Sequence, residues 1–528
     1  MNSVAAKLFN SITSKPLVWA LAVAVLARFI PIATHIVLVG GQIPYNFGGL
    51  FARFASEIHS HGYALPGSIP FYTPGGIPFA YPPASFYLLA LFNDVLPISE
   101  ITAINILPTL IAVASIYAFY LLVRQLPLKQ SERVAAVLVW AILPNAYREQ
   151  AEAAGIAESL GTLALILLMT SLLYYLDKRT PLSIAAIAAA WALAFLASPG
   201  SALASFAIVG IVWLGAAISS ADIKEFRSHL ISIGIAFAAT AVATSFYWLS
   251  VISNHGIDVF TSPLINETGV GSILFIVQDT ARELLSARLI QTGGVVVPVM
   301  ALLGTVVLLK RNHWLIPVWY LSLVIIPRES FWLIAAPTAV MVGIGVINYL
   351  LPLIHDLWTT KRNSKRTFFF SRLVVIVLLI SFTFAPVKIT SLQLLDVRKD
   401  FFLTEQHLQT MDWVNNNVGQ GSKFIVVANK NVLEWFPHVS EREVLNMPFG
   451  SEWEPDENLS MTTLRDGASF CENLRCLRDS TINTIDDLSI FIFVDRKSSI
   501  FSEAQNSEYV YILRSADDGL IGLMTLSP

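Results

Sequence analysis

Carboxylate side chains that could do chemistry lie in short polar segments between long apolar ones. The segment PNAYREQAEAAGIAES, residues 144–159, holds Glu149 and Glu152 three positions apart, so a helix would set both on one face. A carboxylate can take a proton from a hydroxyl group or bind a divalent cation. Acidic groups near membrane depth are costly and tend to mark function. We predict either a reactive carboxylate here or a solvated loop in which Arg148 pairs with Glu152.

A second polar segment, residues 44–83, is rich in glycine, proline and aromatic residues, and its one acidic residue is Glu57. Residues 47–59 have the apolar spacing of a helix, which would place Arg53 and Glu57 one turn apart. Glu57 is therefore either a candidate catalytic group or the partner of Arg53 in an ion pair. The size of the segment favours a function, because long ordered loops are usually functional.

Two further residues have a chemistry that depends on where they lie. Arg328 precedes Glu329 at the end of an apolar segment, where its guanidinium could bind a phosphate or reach water beside Glu329. His255 stands in the turn Asn-His-Gly, where a structural role competes with substrate binding. The sequence has no convincing P-loop, dinucleotide-binding, zinc-protease or nucleophile-elbow motif.

The high hydrophobic content and low charge of the chain indicate a membrane protein. The chain has 528 residues, of which 55% are hydrophobic and 13% charged, and its mean hydropathy is +0.63. Soluble domains carry about 25% charged residues, so a soluble protein of this size could not cover its surface. The formal net charge of −3 is too small to indicate a nucleic-acid partner. These values predict a polytopic α-helical membrane protein embedded in the lipid bilayer.

Apolar segments that approach or exceed the length of a bilayer span, about 20 residues, recur along the first part of the chain. We predict about 11 spans, near residues 17–39, 101–123, 133–147, 156–176, 181–198, 200–218, 230–252, 291–309, 314–327, 331–352 and 372–387. The segment 84–97 is apolar but short, and it contains Asn93 and Asp94. It therefore predicts an interfacial or re-entrant helix.

Lysine and arginine are unevenly distributed between the two sides of these spans. With a cytoplasmic N-terminus, most of them lie in inner segments, and the outer loops between spans hold only Arg53, Arg148, Arg282, Arg288 and Arg328. This bias predicts a multi-pass protein of the plasma or inner membrane, with residues 41–99 as a first outer loop. Residues 1–387 would form the membrane domain and residues 388–528 an extracytoplasmic domain.

The tail, residues 388–528, has ordinary polarity and predicts a small α/β domain. Thr404 can cap a helix that runs to about Val418, and strands are predicted at 423–428, 488–494 and 509–514. Cys471 and Cys476 are too few for a zinc site. They would form a small disulfide loop in an oxidising compartment, and the alternative is two free thiols.

Three stretches carry a resemblance to a known superfamily: GGIPFAYPPASFYLLA at 75–90, YWLSVISNHG at 247–256 and EWFPHVSEREVLNMPFGSEW at 434–453. The order of segments adds to this resemblance. A first span is followed by a long outer loop, and then by a span that leads to a basic cytoplasmic turn. This order resembles the GT-C superfamily of polyprenyl-phosphate-sugar-dependent glycosyltransferases, in the bacterial branch with a C-terminal extracytoplasmic domain. The resemblance implies transfer of a sugar from a polyprenyl-phosphate donor to a glycan, lipid or protein of the cell envelope.

In that superfamily an acidic residue at the start of the first outer loop acts as general base or metal ligand, and the next outer loop supplies a second. Here Asn46 stands where the first acid is expected, and an amide cannot act as a base at neutral pH. The resemblance therefore assigns catalysis to Glu57, Glu149 or Glu152, with Glu152 as a ligand if Mg²⁺ or Mn²⁺ takes part. Its substrate-binding candidates are Arg328, Arg148, Tyr81 and His255.

Two other functions stay open. A GT-C-fold protein without activity would bind lipid-linked saccharide or act as a scaffold in envelope assembly, and Asn46 favours this alternative. A transporter would show inverted repeats and broken helices in matching halves of the chain. The single long loop and the one-sided tail do not fit that symmetry.

Overall fold

The computed structural model describes residues 16–38, 40–73, 75–143, 146, 152–219, 222–262, 296–324, 326, 330–359, 403–450, 453, 471–482 and 489–526. Within these residues the protein is a helical bundle with an outer loop and a small α/β domain packed together at one end.

Apolar composition favours helices in the bundle, because a helix satisfies its backbone polar groups within its own segment. In chain order the helices are α1 (Pro16–Leu38), α2 (Gly49–Ser60), α3 (Ala84–Val95), α4 (Glu100–Gln125), α5 (Gln130–Ile142), α6 (Ile156–Lys178), α7 (Pro181–Ala197), α8 (Pro199–Ser219), α9 (Ile223–His255), α10 (Asp258–Ser262), α11 (Val296–Lys310), α12 (Leu315–Val324), α13 (Ser330–Leu333), α14 (Ala335–Gly345) and α15 (Leu351–Thr359). A 3₁₀ turn, Ala153–Gly155, leads into α6, and a π-helical turn, Val346–Leu350, joins α14 to α15.

By length and composition, five helical segments of the described chain can cross a membrane. They are Glu100–Gln125, Ala153–Lys178, Pro199–Ser219, Ile223–His255 and Ala335–His355. Shorter apolar helices, among them α7, α11 and α12, accompany them. Helices are present at every predicted span except 372–387, which lies outside the described residues, so the total number of spans stays a prediction.

Helices α11 and α14 pack backbone against backbone. A Cβ atom at Gly304 would lie 1.8 Å from the Met341 carbonyl oxygen, and one at Gly345 would lie 2.1 Å from the Met300 carbonyl oxygen. Small residues permit this approach, and in a bilayer close packing rather than water exclusion holds helices together. The two glycines therefore determine how closely α14 approaches its neighbour.

A polar cluster joins α5, α11 and the π-helical turn. Glu132 is fully buried and accepts hydrogen bonds from Arg311 Nη1 at 3.1 Å, Arg311 Nη2 at 2.9 Å and Asn348 Nδ2 at 2.9 Å. A buried carboxylate needs such donors, because an uncompensated charge in an apolar interior is strongly destabilising. The cluster ties three segments of the bundle together.

Between α1 and α4 the chain forms an outer loop with two short helices and a two-stranded ribbon, β1 (Ser68–Ile69) and β2 (Ile77–Pro78). Helix α3 has 12 residues, a length of about 18 Å that is too short to cross a bilayer. The ring of Tyr87 in α3 lies 6.5 Å from that of Phe246 in α9. The short apolar helix expected at 84–97 is therefore present, beside the end of a long membrane helix.

The tail is a small α/β domain, as predicted. It contains α16 (Glu405–Asn417), β3 (Lys423–Val427), α17 (Lys430–Ser440), β4 (Glu443–Val444), α18 (Leu474–Ile482), β5 (Ser489–Asp495), α19 (Phe501–Asn506), β6 (Val510–Ser515) and β7 (Gly519–Thr525). The strand order is β4-β3-β5-β7-β6, with β3 parallel to β4 and β5, and β7 antiparallel to β5 and β6.

Local signals in the tail correctly predicted its first helix and three of its strands. The Thr404 hydroxyl accepts a hydrogen bond from His407 N and caps α16, and β3, β5 and β6 lie at the predicted positions. Two strands were not predicted: β4, which has only two residues, and β7, which contains two glycines. Cys471 and Cys476 are joined by a disulfide, with their Cα atoms 5.5 Å apart.

One hydrophobic core is shared by the outer loop and the tail. Phe54 and Phe86 of the loop stack at 4.7 Å between ring centroids, and Trp453 of the tail lies 6.2 Å from Phe54. Phe424 and Phe436 of the tail belong to the same core. The loop therefore shares this core with both the tail and the bundle, and the division of the chain at residue 387 stays a prediction.

We expect Gly304→Ala to destabilise the protein, because the new Cβ would meet the Met341 carbonyl oxygen at 1.8 Å. Overpacking of this kind typically costs about 1–3 kcal/mol. Gly210→Ala in α8 is the matched control, since nothing lies within 4 Å of its Cβ position. Thermal unfolding in detergent, followed by tryptophan fluorescence, should show a lower midpoint for Gly304→Ala only. Equal midpoints for the two variants would contradict the close packing of α11 and α14.

Candidate functional site

The two loops that the sequence predicts to face outward meet through two backbone hydrogen bonds. Ala153 N donates to the Tyr45 carbonyl oxygen at 2.8 Å, and Ala154 N donates to that of Phe47 at 2.7 Å. Asn46 lies between the two acceptors, and Glu152 directly precedes the first donor. The structure therefore brings the backbones of these two predicted site residues together.

Helix α4 and a glycine hold this pairing in place. Asn105 of α4 is buried, accepts a hydrogen bond from Tyr45 N at 2.8 Å and donates to the Ile43 carbonyl oxygen at 2.9 Å. At Gly48 a Cβ atom would lie 2.8 Å from the Cβ of Ala153. A side chain at position 48 would therefore push the two loops apart.

Asn46 has a backbone conformation that few residue types adopt. Its φ is 66°, in the left-handed region where asparagine is enriched among non-glycine residues. Asn431 Nδ2 in α17 donates to Asn46 Oδ1 at 2.9 Å, and Trp435 Nε1 donates to the Asn46 carbonyl oxygen at 3.1 Å. The tail therefore contacts both the side chain and the backbone of the residue that replaces the expected acid.

One turn further along α17, Glu434 caps the N-terminus of α2. Its carboxylate accepts hydrogen bonds from Gly48 N at 2.8 Å and Leu50 N at 3.4 Å. The first amides of a helix have no partner within the helix and favour a negative charge. Burial nevertheless outweighs these donors and raises the pKa of Glu434 from 4.5 to about 7. The buried carboxyl group is therefore close to half ionised at neutral pH.

The backbones of α2 and α17 are in direct contact. A Cβ atom at Gly49 would lie 2.8 Å from both the Glu434 carbonyl oxygen and Trp435 Cα, and Tyr72 donates from its hydroxyl to the Glu434 carbonyl oxygen at 3.0 Å. Glycine at position 49 is what lets the Glu434 carboxylate reach the helix end.

The other end of α17 reaches the start of α4. His438 Nε2 lies 3.5 Å from Glu100 Oε2, and Ser56 Oγ donates to Glu100 Oε1 at 2.8 Å. Burial, with a smaller effect from Arg53, lowers the pKa of His438 from 6.5 to about 3. The imidazole is therefore neutral at physiological pH.

Glu57 forms the ion pair that its spacing indicates. Arg53 Nη2 lies 2.6 Å from Glu57 Oε1, and Arg53 Nη1 lies 3.4 Å from Glu441 Oε1 of the tail. The same guanidinium lies over the ring of Phe71 at 4.6 Å. Glu57 is thus held on the face of α2 by a cation, and its catalytic role stays a prediction.

His255 and Tyr81 both contact residues of the first loop. His255 Nε2 is 2.6 Å from the Gly67 carbonyl oxygen, a contact that ties the end of α9 to the loop. The ring of Tyr81 lies 5.2 Å from that of Phe51 and 6.0 Å from that of Trp453. These contacts suit a structural role for His255, and substrate binding by either residue stays a prediction.

Arg148, Glu149 and Arg328 lie outside the described residues, so their roles also stay predictions. Among the residues that are described, no group of three or more His, Cys, Asp or Glu side chains could hold a metal ion. The Mg²⁺ or Mn²⁺ ion that the resemblance allows therefore stays a prediction.

The sequence did not predict the residues of the tail that contact the candidate site: Asn431, Glu434 and Trp435. Glu434 and Trp435 begin the motif EWFPH, but the motif contains no signal for what it contacts. Their partners lie in the first outer loop, hundreds of positions earlier in the chain, and one sequence carries no sign of such a pairing.

No protein-family model matches the sequence, and no curated protein matches it in a sequence search. Solved structures do match it. ArnT from Cupriavidus metallidurans, bound to undecaprenyl phosphate, aligns over 96% of this chain and 97% of its own, with a TM-score of 0.57 and 10% identity. Oligosaccharyltransferase AglB from Archaeoglobus fulgidus, in complex with an inhibitory peptide and a dolichol-phosphate, aligns over 96% of this chain and 74% of its own, with a TM-score of 0.56 and 13% identity.

Arabinofuranosyltransferase AftD from Mycobacteria aligns over 97% of this chain and 42% of its own, with a TM-score of 0.51 and 12% identity. The chain has the GT-C fold. The order of spans and the long first loop predicted the GT-C fold, and these structures confirm it. At identities of 10 to 13% the likeness establishes the GT-C fold alone, so the chemistry must be argued from this chain's own residues.

Glu434 and His438 give the contact between loop and tail opposite pH dependences. Because the folded pKa of Glu434 is about 7 against 4.5, its contribution to stability is full below pH 4.5 and is lost as pH rises to 7. Because the folded pKa of His438 is about 3 against 6.5, its contribution is full above pH 6.5 and is lost as pH falls towards 3.

Two substitutions should separate these effects in thermal unfolding measured between pH 4 and 8. Relative to wild type, we expect Glu434→Gln to gain stability as pH rises from 4.5 to 7, on the order of 3 kcal/mol, since an amide does not ionise. Relative to wild type, His438→Gln should gain stability as pH falls below 6.5. Glu405→Gln, at an exposed position of the tail, is the control. Parallel pH profiles for all four proteins would show that neither group is buried as described.

Proposed function

We propose that this protein is a glycosyltransferase that moves a sugar from a polyprenyl-phosphate donor to an acceptor outside the cytoplasm. The pairing of residues 45–47 with 153–154 carries the proposal, because in a GT-C fold it brings Asn46 to Glu152. The resemblance expects one acidic group at the start of the first outer loop and a second in the next outer loop. ArnT was solved with undecaprenyl phosphate and AglB with a dolichol-phosphate, which supports a polyprenyl phosphate as the donor lipid.

In the proposed reaction, Glu152 takes the proton of an acceptor hydroxyl as the hydroxyl oxygen attacks the anomeric carbon. A bond forms between that oxygen and the anomeric carbon. The bond from the anomeric carbon to the phosphate oxygen breaks, and its electron pair leaves with the polyprenyl phosphate. Asn46 orients a reacting group through its amide, and we assign phosphate binding to Arg148 and Arg328, because a guanidinium matches phosphate geometry.

The remaining candidates rank below Glu152 for physical reasons. Glu149 is an alternative base, since it lies in the same loop, and Glu57 is a weaker one because its carboxylate pairs with Arg53. We assign Tyr81 and His255, which contact the first loop, to binding of the acceptor. If Mg²⁺ or Mn²⁺ takes part, Glu152 would be one of its ligands.

We expect Glu152→Gln to reduce sugar transfer by about 10²–10⁴-fold, the usual contribution of a general base. The assay would use purified protein in nanodiscs, labelled undecaprenyl-phosphate sugars and a cell-envelope extract as acceptor. Glu405→Gln, at an exposed position of the tail, should transfer sugar at the wild-type rate. Full activity of Glu152→Gln would remove Glu152 from the mechanism, and full activity after Glu149→Gln is added would refute the assignment of the base to this loop.

We also propose that the tail and both loops face away from the cytoplasm, as the distribution of lysine and arginine indicates. After reduction by an impermeant phosphine, Cys471 and Cys476 should react with an impermeant maleimide in intact cells stripped of their wall. In a chain without these cysteines, Lys178→Cys should react only after lysis. The reverse pattern would place the tail in the cytoplasm and contradict the proposed site.

A catalytically inactive protein that binds lipid-linked saccharide is the second candidate, and Asn46 at the expected acidic position is the observation that favours it. Under this alternative the wild-type protein would bind undecaprenyl-phosphate sugar without turning it over. Turnover that appears only in Asn46→Asp would establish the alternative, whereas turnover by wild type would exclude it.

A further inference from the structure

We propose that Asn431 in the tail fixes the orientation of the Asn46 amide, so that residue 46 presents a hydrogen-bond donor to the phosphate of the lipid-linked sugar. This inference rests on the proposed function and deepens it. It gives position 46 a role that an acidic residue could not fill, and it makes Asn431 a positioning residue for the site.

Both acceptor atoms of Asn46 are engaged by the tail. Asn431 Nδ2 donates to its side-chain oxygen at 2.9 Å, and Trp435 Nε1 donates to its carbonyl oxygen at 3.1 Å. With the amide oxygen turned towards α17, the Nδ2 group forms the opposite end of the side chain. Residue 46 therefore offers a ligand an N–H donor, since the amide nitrogen carries two hydrogen atoms that it can donate.

The neighbours of Asn46 are held by different parts of the chain. The carbonyl oxygens of Tyr45 and Phe47 bind the second outer loop, which fixes the backbone on both sides of position 46. The orientation of the side chain is left to its own contacts, and the described hydrogen bond to its amide comes from Asn431. The second loop and Trp435 of the tail therefore fix the backbone at position 46, and Asn431 sets which end of its amide faces the ligand.

Asn431 is well suited to this task because it is itself immobilised. It is 4% exposed, and it lies in the first turn of α17, where Asn429 Oδ1 accepts hydrogen bonds from Asn431 N at 3.0 Å and Val432 N at 3.1 Å. One turn later, the contact between Glu434 and Gly48 holds α17 against the loop. Helix α17 cannot slide along the loop without breaking this cap.

The donor orientation matches the chemistry of a phosphate. Phosphate oxygens are anionic acceptors, and hydrogen bonds from a fixed N–H to such an oxygen are stronger than those between neutral groups. An aspartate at position 46 would instead place a negative charge there and repel the phosphate. Asparagine thus allows position 46 to bind the donor lipid while Glu152 serves the acceptor.

The test is the binding of undecaprenyl phosphate and of undecaprenol, which lacks the phosphate, to full-length protein in nanodiscs. In Asn431→Asp the carboxylate can only accept a hydrogen bond, so the Asn46 amide should turn over and offer its oxygen. We expect this variant to bind undecaprenyl phosphate about ten-fold more weakly, the value of one hydrogen bond, and undecaprenol unchanged. Asn431→Ala should lose less affinity for undecaprenyl phosphate, because it frees the Asn46 amide without reversing it.

Two controls separate positioning from a general loss of structure. Glu441→Gln, at another contact between loop and tail but with a half-exposed side chain, should bind both lipids as wild type does. In an Asn46→Ala background, Asn431→Asp should cause no further loss, because the group that it reorients is gone. Thermal unfolding of each variant checks that the fold is kept.

The outcomes distinguish the two proposals. Wild-type binding that is independent of the phosphate would overturn the proposed donor and this inference with it. Phosphate-dependent binding that Asn431→Asp leaves unchanged would overturn this inference alone. An equal loss from Asn431→Asp with and without Asn46 would also overturn it, since the effect would then not pass through residue 46.

Discussion

The structure around the site depends on one buried carboxyl group, that of Glu434, at the N-terminus of α2. The first amides of α2 need acceptors, and the preceding loop is too rich in glycine and proline to provide them from regular structure. The tail provides the acceptor, and burial offsets part of the gain by raising the pKa of Glu434 to about 7. Loop and tail are therefore ordered together, around one shared core.

The bilayer imposes the second constraint, which the helices of the bundle meet. Long apolar helices satisfy their own backbone groups, and glycines such as Gly304 let them approach closely. At one end of the bundle, Asn105 of α4 and the turn before α6 both hold the loop segment that contains Asn46. The site is thus assembled from the first loop, the second loop and the tail, which are far apart in the sequence.

This assembly gives a physical reason for asparagine at position 46. The left-handed backbone there favours asparagine, and Asn431 and Trp435 supply the donors that its two oxygens accept. Where an acid is expected, the chain thus has the amide of Asn46, which is fixed by hydrogen bonds. Glu152 directly precedes the turn that pairs with residues 45–47, so under the proposed function it would supply the carboxylate that position 46 lacks.

The sequence by itself determined the features that follow from local rules: the apolar helices of the bundle, the Thr404 cap, the Arg53–Glu57 pair and three strands of the tail. It also carried enough order, in its spans and its long first loop, to indicate the GT-C fold. Only the tertiary structure decided that Glu434 caps α2, that Asn431 holds Asn46 and that residues 45–47 pair with 153–154. Each of these contacts joins single polar groups across long stretches of chain, and such contacts leave no periodic pattern in one sequence because they depend on how the packed helices and loops meet.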